Sequence, residues 1–153
     1  MFNVLTVIPA RGGSKGIKLK NLKVLQGVSL VGRAVKCSLQ TNTERNIILS
    51  SDHPKIIEEG KKFGVFSDYI RPEHLSGDLI GDVDVLLDAL KFAENNSSQK
   101  YDAVMMLQPT SPLRKETDIR DALNIFQNND FDAIWSASEI DSKYHPRKIL
   151  NLN

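Results

Sequence analysis

Residues 3–21 read NVLTVIPARGGSKGIKLKN, and this stretch decides the class of the fold. Its first part, residues 3–9, is a continuous apolar run rich in β-branched side chains that stops at a proline before a glycine-rich segment. A strand buried on both faces has this composition, because neither face needs polar residues. The stretch therefore predicts a central strand with a loop at its carboxyl end.

Similar short runs predict four further strands, at residues 46–50, 65–70, 103–107 and 132–137. Segments with helical spacing lie between them, and we predict helices over residues 30–39, capped by Ser29, and 54–63, begun by Pro54. Amphipathic spacing also predicts helices around residues 83–93 and 119–126. In the first of these two, one apolar face is formed by Val83, Leu86, Leu87, Leu90 and Ala93. The alternation predicts a single α/β domain, in which helices flank a mostly parallel sheet.

The composition is that of an ordinary globular domain. The chain has 153 residues, 41% of them apolar, and its one cysteine, Cys37, cannot form an internal disulfide. The longest apolar runs have about five residues, far short of the ~20 that span a bilayer, and no signal segment stands at the amino terminus. We expect a cytoplasmic, soluble protein without a membrane partner.

The charge is sorted along the sequence. Residues 1–43 hold seven basic residues and no acidic one, although the whole chain has a net charge of only +1. A basic tract attracts polyanions, but a nucleic-acid binder usually adds aromatic stacking residues, and Phe2 is the only aromatic residue in this tract. We therefore expect a compact polyanion, such as a nucleoside triphosphate, and no nucleic acid.

The loop after the first strand has the composition of a phosphate site. In an open parallel sheet, ligands bind beyond the carboxyl ends of the strands. Glycine allows tight turns with N–H groups aimed at an anion, serine adds a donor, and basic side chains supply charge. The residues of these types in the loop are Arg11, Gly12, Gly13, Ser14, Lys15, Gly16, Lys18 and Lys20. The alternative is a solvated basic loop without a ligand.

Two common phosphate motifs are excluded by spacing. A P-loop requires a second glycine five places after the first, where Ile17 follows Gly12. The dinucleotide fingerprint requires Gly-x-Gly, whereas Gly12 and Gly13 are adjacent. The missing fingerprint disfavours a nicotinamide-dependent oxidoreductase. Such an enzyme also uses an acid to bind the ribose, and Asp52 is the only acid at the end of the second predicted strand.

Five motifs occur in order along the chain: IPARGGSKGIKLKN at residues 8–21, SSDHPKI at 50–56, RPEHLSGD at 71–78, LQPTSPLR at 107–114 and HPRK at 145–148. Together they resemble the acylneuraminate cytidylyltransferases, also called CMP-sialic acid synthetases. The resemblance implies a Rossmann-like nucleotide-diphospho-sugar transferase fold. It also implies transfer of CMP from CTP to a nine-carbon 2-keto sugar acid, with release of pyrophosphate and with Mg²⁺ as cofactor.

The resemblance further implies roles for individual residues. Arg11 and Lys20 are implied to be catalytic, as cations that stabilise charge on the leaving pyrophosphate. The nucleotide-binding set is Arg11, Gly12, Gly13, Ser14, Lys15, Lys20, Asn21 and Arg71, with Arg71 contacting cytosine. The set for the sugar acid is Gln108, Thr110, Ser111 and Lys148.

Some residues allow two interpretations. Asp82 and Asp84 form a D-x-D pair that suggests a metal site, but acids in the first turn of a helix also offset its dipole, and we favour this second reading. Arg114 either contacts the ligand or braces the loop that precedes it. No metal ligand is assigned.

Family members usually continue past the region that matches Lys148, and this continuation supplies an Asp pair for Mg²⁺ and an arm that swaps between subunits of a homodimer. We therefore expect residues 1–153 to form a nucleotidyltransferase domain lacking that part, as a weak dimer or a monomer. Two hypotheses follow: a cytidylyltransferase, or a CTP-binding module without turnover. The related class that activates the eight-carbon acid Kdo shares the reaction, but its first loop differs from GGSKG.

Overall fold

The structure is a computed structural model that describes residues 2–41, 46–137 and 139. Its strands are β1 (Val4–Pro9), β2 (Val24–Leu25), β3 (Val28–Ser29), β4 (Ile47–Ser50) and β5 (Ala103–Met106). Its α-helices are α1 (Leu30–Leu39), α2 (Pro54–Lys62), α3 (Asp82–Asn95) and α4 (Glu116–Gln127), and short 3-10 helices span Lys20–Leu22 and Glu73–Leu75. The chain divides into two compact units, Met1–Arg120 and Asp121–Asn153. The expectation of one domain stays a prediction.

The main sheet has three strands in the order β4-β1-β5, and both pairings are parallel. Strand β1 is central, as its composition predicts: Thr6 lies opposite Ile47 on one side and Met105 on the other. Its residues 4–8 are all buried. The two parallel pairings confirm the predicted α/β class, in which helices flank a mostly parallel sheet. The apolar run of β1 is long enough to be covered on both faces.

The predicted helices α1 and α2 are confirmed, together with the cap at Ser29 and the start at Pro54. The Ser29 hydroxyl accepts a hydrogen bond from the Gly32 N–H at 3.0 Å, which satisfies a donor that the first turn leaves without a backbone partner. Pro54 occupies the start of α2, and Gly64 follows its end at a φ of 101°. Both residues suit these positions, since proline presets the helical φ and glycine tolerates the left-handed region.

Helix α3 forms where it is predicted, but the predicted apolar face is offset. Val83 and Leu87 are exposed, whereas Val85 and Ala89 are buried. Ala89 belongs to a core cluster with Leu5, Val7, Ile48 and Tyr69, against which Leu86, Leu90, Phe92 and Ala93 pack. The difference arises because the apolar residues cover more than one side of the helix, and only the docking geometry selects the buried side.

Two predicted strands are wrong. Residues 65–70 form no strand; Val65 and Tyr69 are buried while Phe66 and Ile70 are exposed. Residues 132–137 are not a strand either, and Trp135, which the pattern places in a core, is 90% exposed. Apolar periodicity reports which side chains could be buried, not whether the backbone finds a partner strand.

A small antiparallel hairpin, β2 with β3, is a feature that the sequence analysis missed. Its two connecting residues, Gln26 and Gly27, both have positive φ values, 50° and 79°. Two-residue hairpin loops favour this conformation because its twist matches that of the strands. In the part of the chain that the structure describes, no helix has the length and apolar character needed to cross a membrane.

Candidate functional site

An open cleft of about 620 Å³ lies beyond the carboxyl ends of β1 and β5. The last residue of β1, Pro9, lines it, and so do residues 108–110, which follow β5. The remaining strand of the sheet, β4, contributes through its last residue, Ser50, whose hydroxyl accepts a hydrogen bond from Arg71 on the cleft wall. This is the position at which an open parallel sheet binds its ligands.

The glycine-rich loop is fixed against the segment that follows β4. The Gly12 N–H donates to the Asp52 carboxylate at 2.7 Å, so this N–H is already engaged in the structure. A Cβ at Gly12 would lie 2.7 Å from the Cβ of His53, which leaves no room for a side chain. Within the described residues, the glycines with positive φ are Gly27 and Gly64, so Gly12 is required for close approach and not for an unusual backbone angle.

The end of the loop is tied back to its beginning by Asn21. This side chain is buried, and its amide donates to the Arg11 carbonyl at 3.0 Å. Lys20, the first residue of the 3-10 helix, lines the cleft beside it. The hydrogen bond closes the loop, so that its basic side chains converge on one cleft.

Two basic residues of the loop share a single carboxylate. Arg11 Nη1 lies 2.7 Å from Asp78 Oδ1, and Lys15 Nζ lies 2.8 Å from Asp78 Oδ2. The hydrogen bonds from Lys15 and Arg11 hold the pKa of the Asp78 carboxyl below its usual range. The side chain of Lys15 is 81% exposed and that of Arg11 is 32% exposed, so these pairs lie in contact with solvent.

Arg71 lies on the cleft wall but is only 5% exposed. Its Nε donates to the Ser50 hydroxyl at 2.9 Å, and its Nη2 donates to the Ser50 carbonyl at 2.8 Å. Its own N–H donates to the Ser51 carbonyl at 2.9 Å, which fixes the backbone at the same place. Burial lowers the pKa of the guanidinium, although arginine keeps its charge in proteins.

Tyr69 supports this region from the core. Its hydroxyl donates to the Asp88 carboxylate at 2.6 Å and also interacts with the side chain of Ser50. Burial, followed by the bond to Asp88, raises the pKa of the phenol above its usual range. The tyrosine ring packs edge-on against Phe92, with ring centroids 5.1 Å apart. Ser50 and Arg71 therefore rest on a hydrogen-bonded layer that leads to α3.

The loop after β5 completes the wall. Gln108 and Thr110 line the cleft, and the Gln108 amide lies 3.4 Å from Asp82 Oδ2 at the start of α3. Arg114 donates to the Gln108 carbonyl at 3.2 Å, which favours the bracing role for this residue. Asp82 and Asp84 both lie in the first turn of α3, as expected for acids that offset the helix dipole.

Most of the predicted site residues share this cleft. Those that line it are Arg11, Ser14, Lys15, Lys20, Asn21, Arg71, Gln108 and Thr110. Gly12, Gly13 and Ser111 belong to the same loops but do not line the cleft, and Lys148 lies outside the described residues. The ligand contacts assigned to these residues stay predictions.

Three residues with structural influence on the site were missed: Ser50, Asp52 and Asp78. All three lie within the motifs SSDHPKI and RPEHLSGD, but no spacing rule connects them with a loop that precedes them by dozens of residues. A usable signal was the excess of basic residues in the loop, since cations this close together need counter-charges nearby.

The described part of the chain contains no group of three or more His, Cys, Asp or Glu side chains that could hold a metal ion. Asp78 and Asp82 are the carboxylates of the cleft lining, and they are engaged by Arg11 and Lys15 and by Gln108. As arranged, these residues do not by themselves form a Mg²⁺ site.

A family model described as cytidylyltransferase matches residues 5–153 of the sequence. The chain belongs to the cytidylyltransferase family. Relatives of this family include the CMP-N,N'-diacetyllegionaminic acid synthase of Legionella pneumophila, 34% identical over 122 residues that cover 80% of this chain and 52% of the relative. Another is the pseudaminic acid cytidylyltransferase of Campylobacter jejuni, 31% identical over 97% of this chain and 64% of the relative. The chain thus spans about half to two thirds of the length of these curated relatives.

A solved CMP:2-keto-3-deoxy-manno-octonic acid synthetase, complexed with CTP, shows the same fold as this cytidylyltransferase-family chain. The TM-score is 0.67 at 22% identity, and the match covers 83% of this chain and 48% of the solved one. At that identity the likeness establishes the architecture alone. It confirms the nucleotide-sugar transferase fold that the sequence motifs imply.

Proposed function

We propose that the cleft binds CTP and that the protein transfers its CMP moiety to a nine-carbon 2-keto sugar acid, releasing pyrophosphate. The observation that carries the proposal is the convergence in one cleft of the exposed Lys15, the half-buried Arg11 and Lys20, and the buried Arg71. Family membership supports the reaction type. The names of the relatives support an acidic sugar of the legionaminic, pseudaminic or N-acylneuraminic kind.

The two kinds of cationic residue suit the two parts of CTP. Arg11, Lys15 and Lys20 follow the end of β1, where several phosphate oxygens can be met by separate side chains. Arg71 offers fixed N–H donors at the wall, a suitable partner for the carbonyl of a pyrimidine base. Gln108 and Thr110 stand at the remaining wall, where we place the sugar acid.

In the proposed reaction, the anomeric hydroxyl oxygen of the sugar acid forms a bond to the α-phosphorus of CTP. The bond between that phosphorus and the oxygen bridging to the β-phosphate breaks, pyrophosphate leaves with the bond electrons, and the hydroxyl proton passes to solvent. Arg11, Lys15 and Lys20 stabilise the negative charge that grows on the leaving group. Mg²⁺, which belongs to the proposal through the family resemblance, would neutralise phosphate charge when bound.

The proposal is tested by calorimetric titration of the chain with CTP, with ATP as the control nucleotide, with and without Mg²⁺. We expect CTP to bind more tightly than ATP. Arg11→Ala should weaken CTP binding by about 1.5 to 3 kcal/mol, the scale of a lost charge-assisted hydrogen bond, and leave the fold intact. Lys61→Ala is the charge-matched control, because Lys61 is exposed on α2 and does not line the cleft.

Turnover is measured separately, as pyrophosphate release from CTP with N-acetylneuraminic, legionaminic or pseudaminic acid. Release with one acid and not with the others would identify the substrate. CTP binding without release from any acid would favour a CTP-binding module instead. Equal affinity for CTP and ATP, or no effect of Arg11→Ala, would contradict the proposed site.

A further inference from the structure

Asp78 occupies a position in the cleft that the proposed function does not use. It lies between the 3-10 helix Glu73–Leu75 and helix α3, and its two carboxylate oxygens meet different cations: Arg11 at 2.7 Å and Lys15 at 2.8 Å. Arg11 also lies 3.4 Å from the carbonyl of Ser76, in the same segment. Arg11 and Lys15, two of the basic residues of the glycine-rich loop, are thus tied to one short stretch of chain at residues 76–78.

A carboxylate that bridges two cations does what two oxygens of a phosphate group would do there. Each oxygen takes one charge-assisted hydrogen bond, at the distances typical of a bound anion. A polyphosphate can take up the donors of Arg11 and Lys15 that face Asp78 only by displacing the carboxylate, and the negative carboxylate would also repel it. Ligand and side chain therefore compete for the same donors.

We propose that Asp78 is an internal competitor of the phosphate chain, which lowers the affinity of the cleft for polyphosphates and restricts it to ligands charged enough to displace a carboxylate. The inference rests on the proposed function only in that the cleft must receive a polyphosphate. Exchange is feasible because the pair is exposed: the side chain of Asp78 is 39% exposed and that of Lys15 is 81% exposed. Exposed ion pairs contribute little net stability, so a multiply charged ligand can replace one.

Two other roles for Asp78 both predict weaker polyphosphate binding when the carboxylate is removed, which is the opposite of what an internal competitor predicts. If the carboxylate holds Arg11 and Lys15 in place for the ligand, its removal weakens polyphosphate binding. If it is a ligand of Mg²⁺, its removal weakens binding only when Mg²⁺ is present. An internal competitor differs from both, because its removal strengthens binding with or without the metal.

The experiment is calorimetric titration of the full chain and of Asp78→Asn with inorganic triphosphate and with CTP, each with and without Mg²⁺. We expect Asp78→Asn to bind both ligands roughly three- to tenfold more tightly, the scale of the two exposed ion-pair contacts that Asp78 makes. The gain should be similar for the two ligands, since the same cations are released. Asp78→Ala should show the same gain, which excludes a contribution from the new amide.

Asp84→Asn is the control for net charge. Asp84 is exposed in the first turn of α3 and does not line the cleft, so removing its charge should change either affinity by less than about twofold. An equal gain in Asp84→Asn would overturn the inference in favour of a general electrostatic effect. Unchanged or weaker binding by Asp78→Asn would also overturn it.

The outcome separates the inference from the proposed function. If inorganic triphosphate binds Asp78→Asn more tightly while CTP shows no preference over ATP, the internal competitor stands and the cytidine-specific function fails. If CTP binds selectively but both Asp78 variants bind no more tightly, the function stands and the competitor fails. Absence of binding of both inorganic triphosphate and CTP to every variant would overturn both.

Discussion

The two cationic regions of the cleft are built in opposite ways. At the glycine-rich loop, Arg11 is partly exposed and Lys15 largely exposed, and both are held by ion pairs to a single carboxylate, Asp78. On the cleft wall beside the end of β4, Arg71 is 5% exposed and is held by hydrogen bonds to Ser50, which is itself fully buried. We call the first region the exposed cation pair and the second the buried arginine.

In the proposed function, this difference lets one cleft recognise two features of its ligand. A buried guanidinium with fixed partners has a defined direction for each N–H, so it can discriminate by shape and hydrogen-bonding pattern. Exposed side chains on an ion pair can rearrange, so they respond to the amount of charge. The buried arginine suits a base, and the exposed cation pair suits phosphates.

The largest effect is expected from Arg71→Lys, and Arg11→Lys is the comparison. Arg71→Lys keeps the charge but removes the planar donors, leaving buried Ser50 oxygens without a matched partner. We expect the free energy of unfolding to fall by about 2 to 4 kcal/mol, as measured by urea denaturation. Arg11→Lys should lose only a small fraction of that, since lysine can still pair with Asp78 at an exposed site. Equal losses would mean that the two regions do not differ.

The next effect concerns the glycines of the loop. Gly12→Ala would place a Cβ 2.7 Å from the Cβ of His53, so the loop or the start of α2 must shift. We expect a loss of about 1 to 3 kcal/mol in unfolding free energy, together with weaker CTP binding. The measurements are urea denaturation and calorimetric titration.

Gly16→Ala is the matched control for that substitution, because a Cβ there meets nothing within 4 Å. Its stability should stay close to that of the unchanged chain. If Gly16→Ala were as destabilising as Gly12→Ala, the close approach to His53 would not be the reason for glycine at position 12.

The smallest effect is expected behind the buried arginine. Tyr69→Phe removes the hydroxyl that donates to Asp88 at 2.6 Å, and should lower the unfolding free energy by about 1 kcal/mol. It should also weaken CTP binding more than inorganic triphosphate binding, since only the region of Arg71 is disturbed. Tyr101→Phe is the control, because the Tyr101 hydroxyl has a longer contact, 3.4 Å to Asn46.

Tyr69 also gives a pH dependence. Burial and the bond to Asp88 raise the pKa of its phenol in the folded state, so the unfolded chain releases this proton at lower pH than the folded one. The stabilisation is therefore complete below the usual tyrosine pKa of about 10 and is lost as the pH rises above it. The stability difference between the unchanged chain and Tyr69→Phe should shrink above about pH 10. A constant difference would contradict the raised pKa.

The success of sequence reasoning differs from element to element for physical reasons. Strand β1 and helix α1 were predicted because a doubly buried strand and a serine-capped helix leave local signals in composition and spacing. Residues 65–70 were predicted as a strand and are not one, because strand pairing depends on a partner elsewhere in the chain. The buried side of α3 differs from the predicted one for the same kind of reason, because packing against the sheet determines which side of the helix is buried.

The order of residues alone was enough to establish the α/β class, the glycine-rich basic loop at the end of the first strand, and the motifs that place the chain in its family. These features are local, so the order of residues is enough to define them. The groups that neutralise and hold the site became evident from the folded chain: Asp52 at the Gly12 N–H, Ser50 at Arg71, and Asp78 between Arg11 and Lys15. Each of these contacts joins residues at least 20 positions apart, and charge and hydrogen-bond partners at such separations are set by how the chain folds back on the sheet.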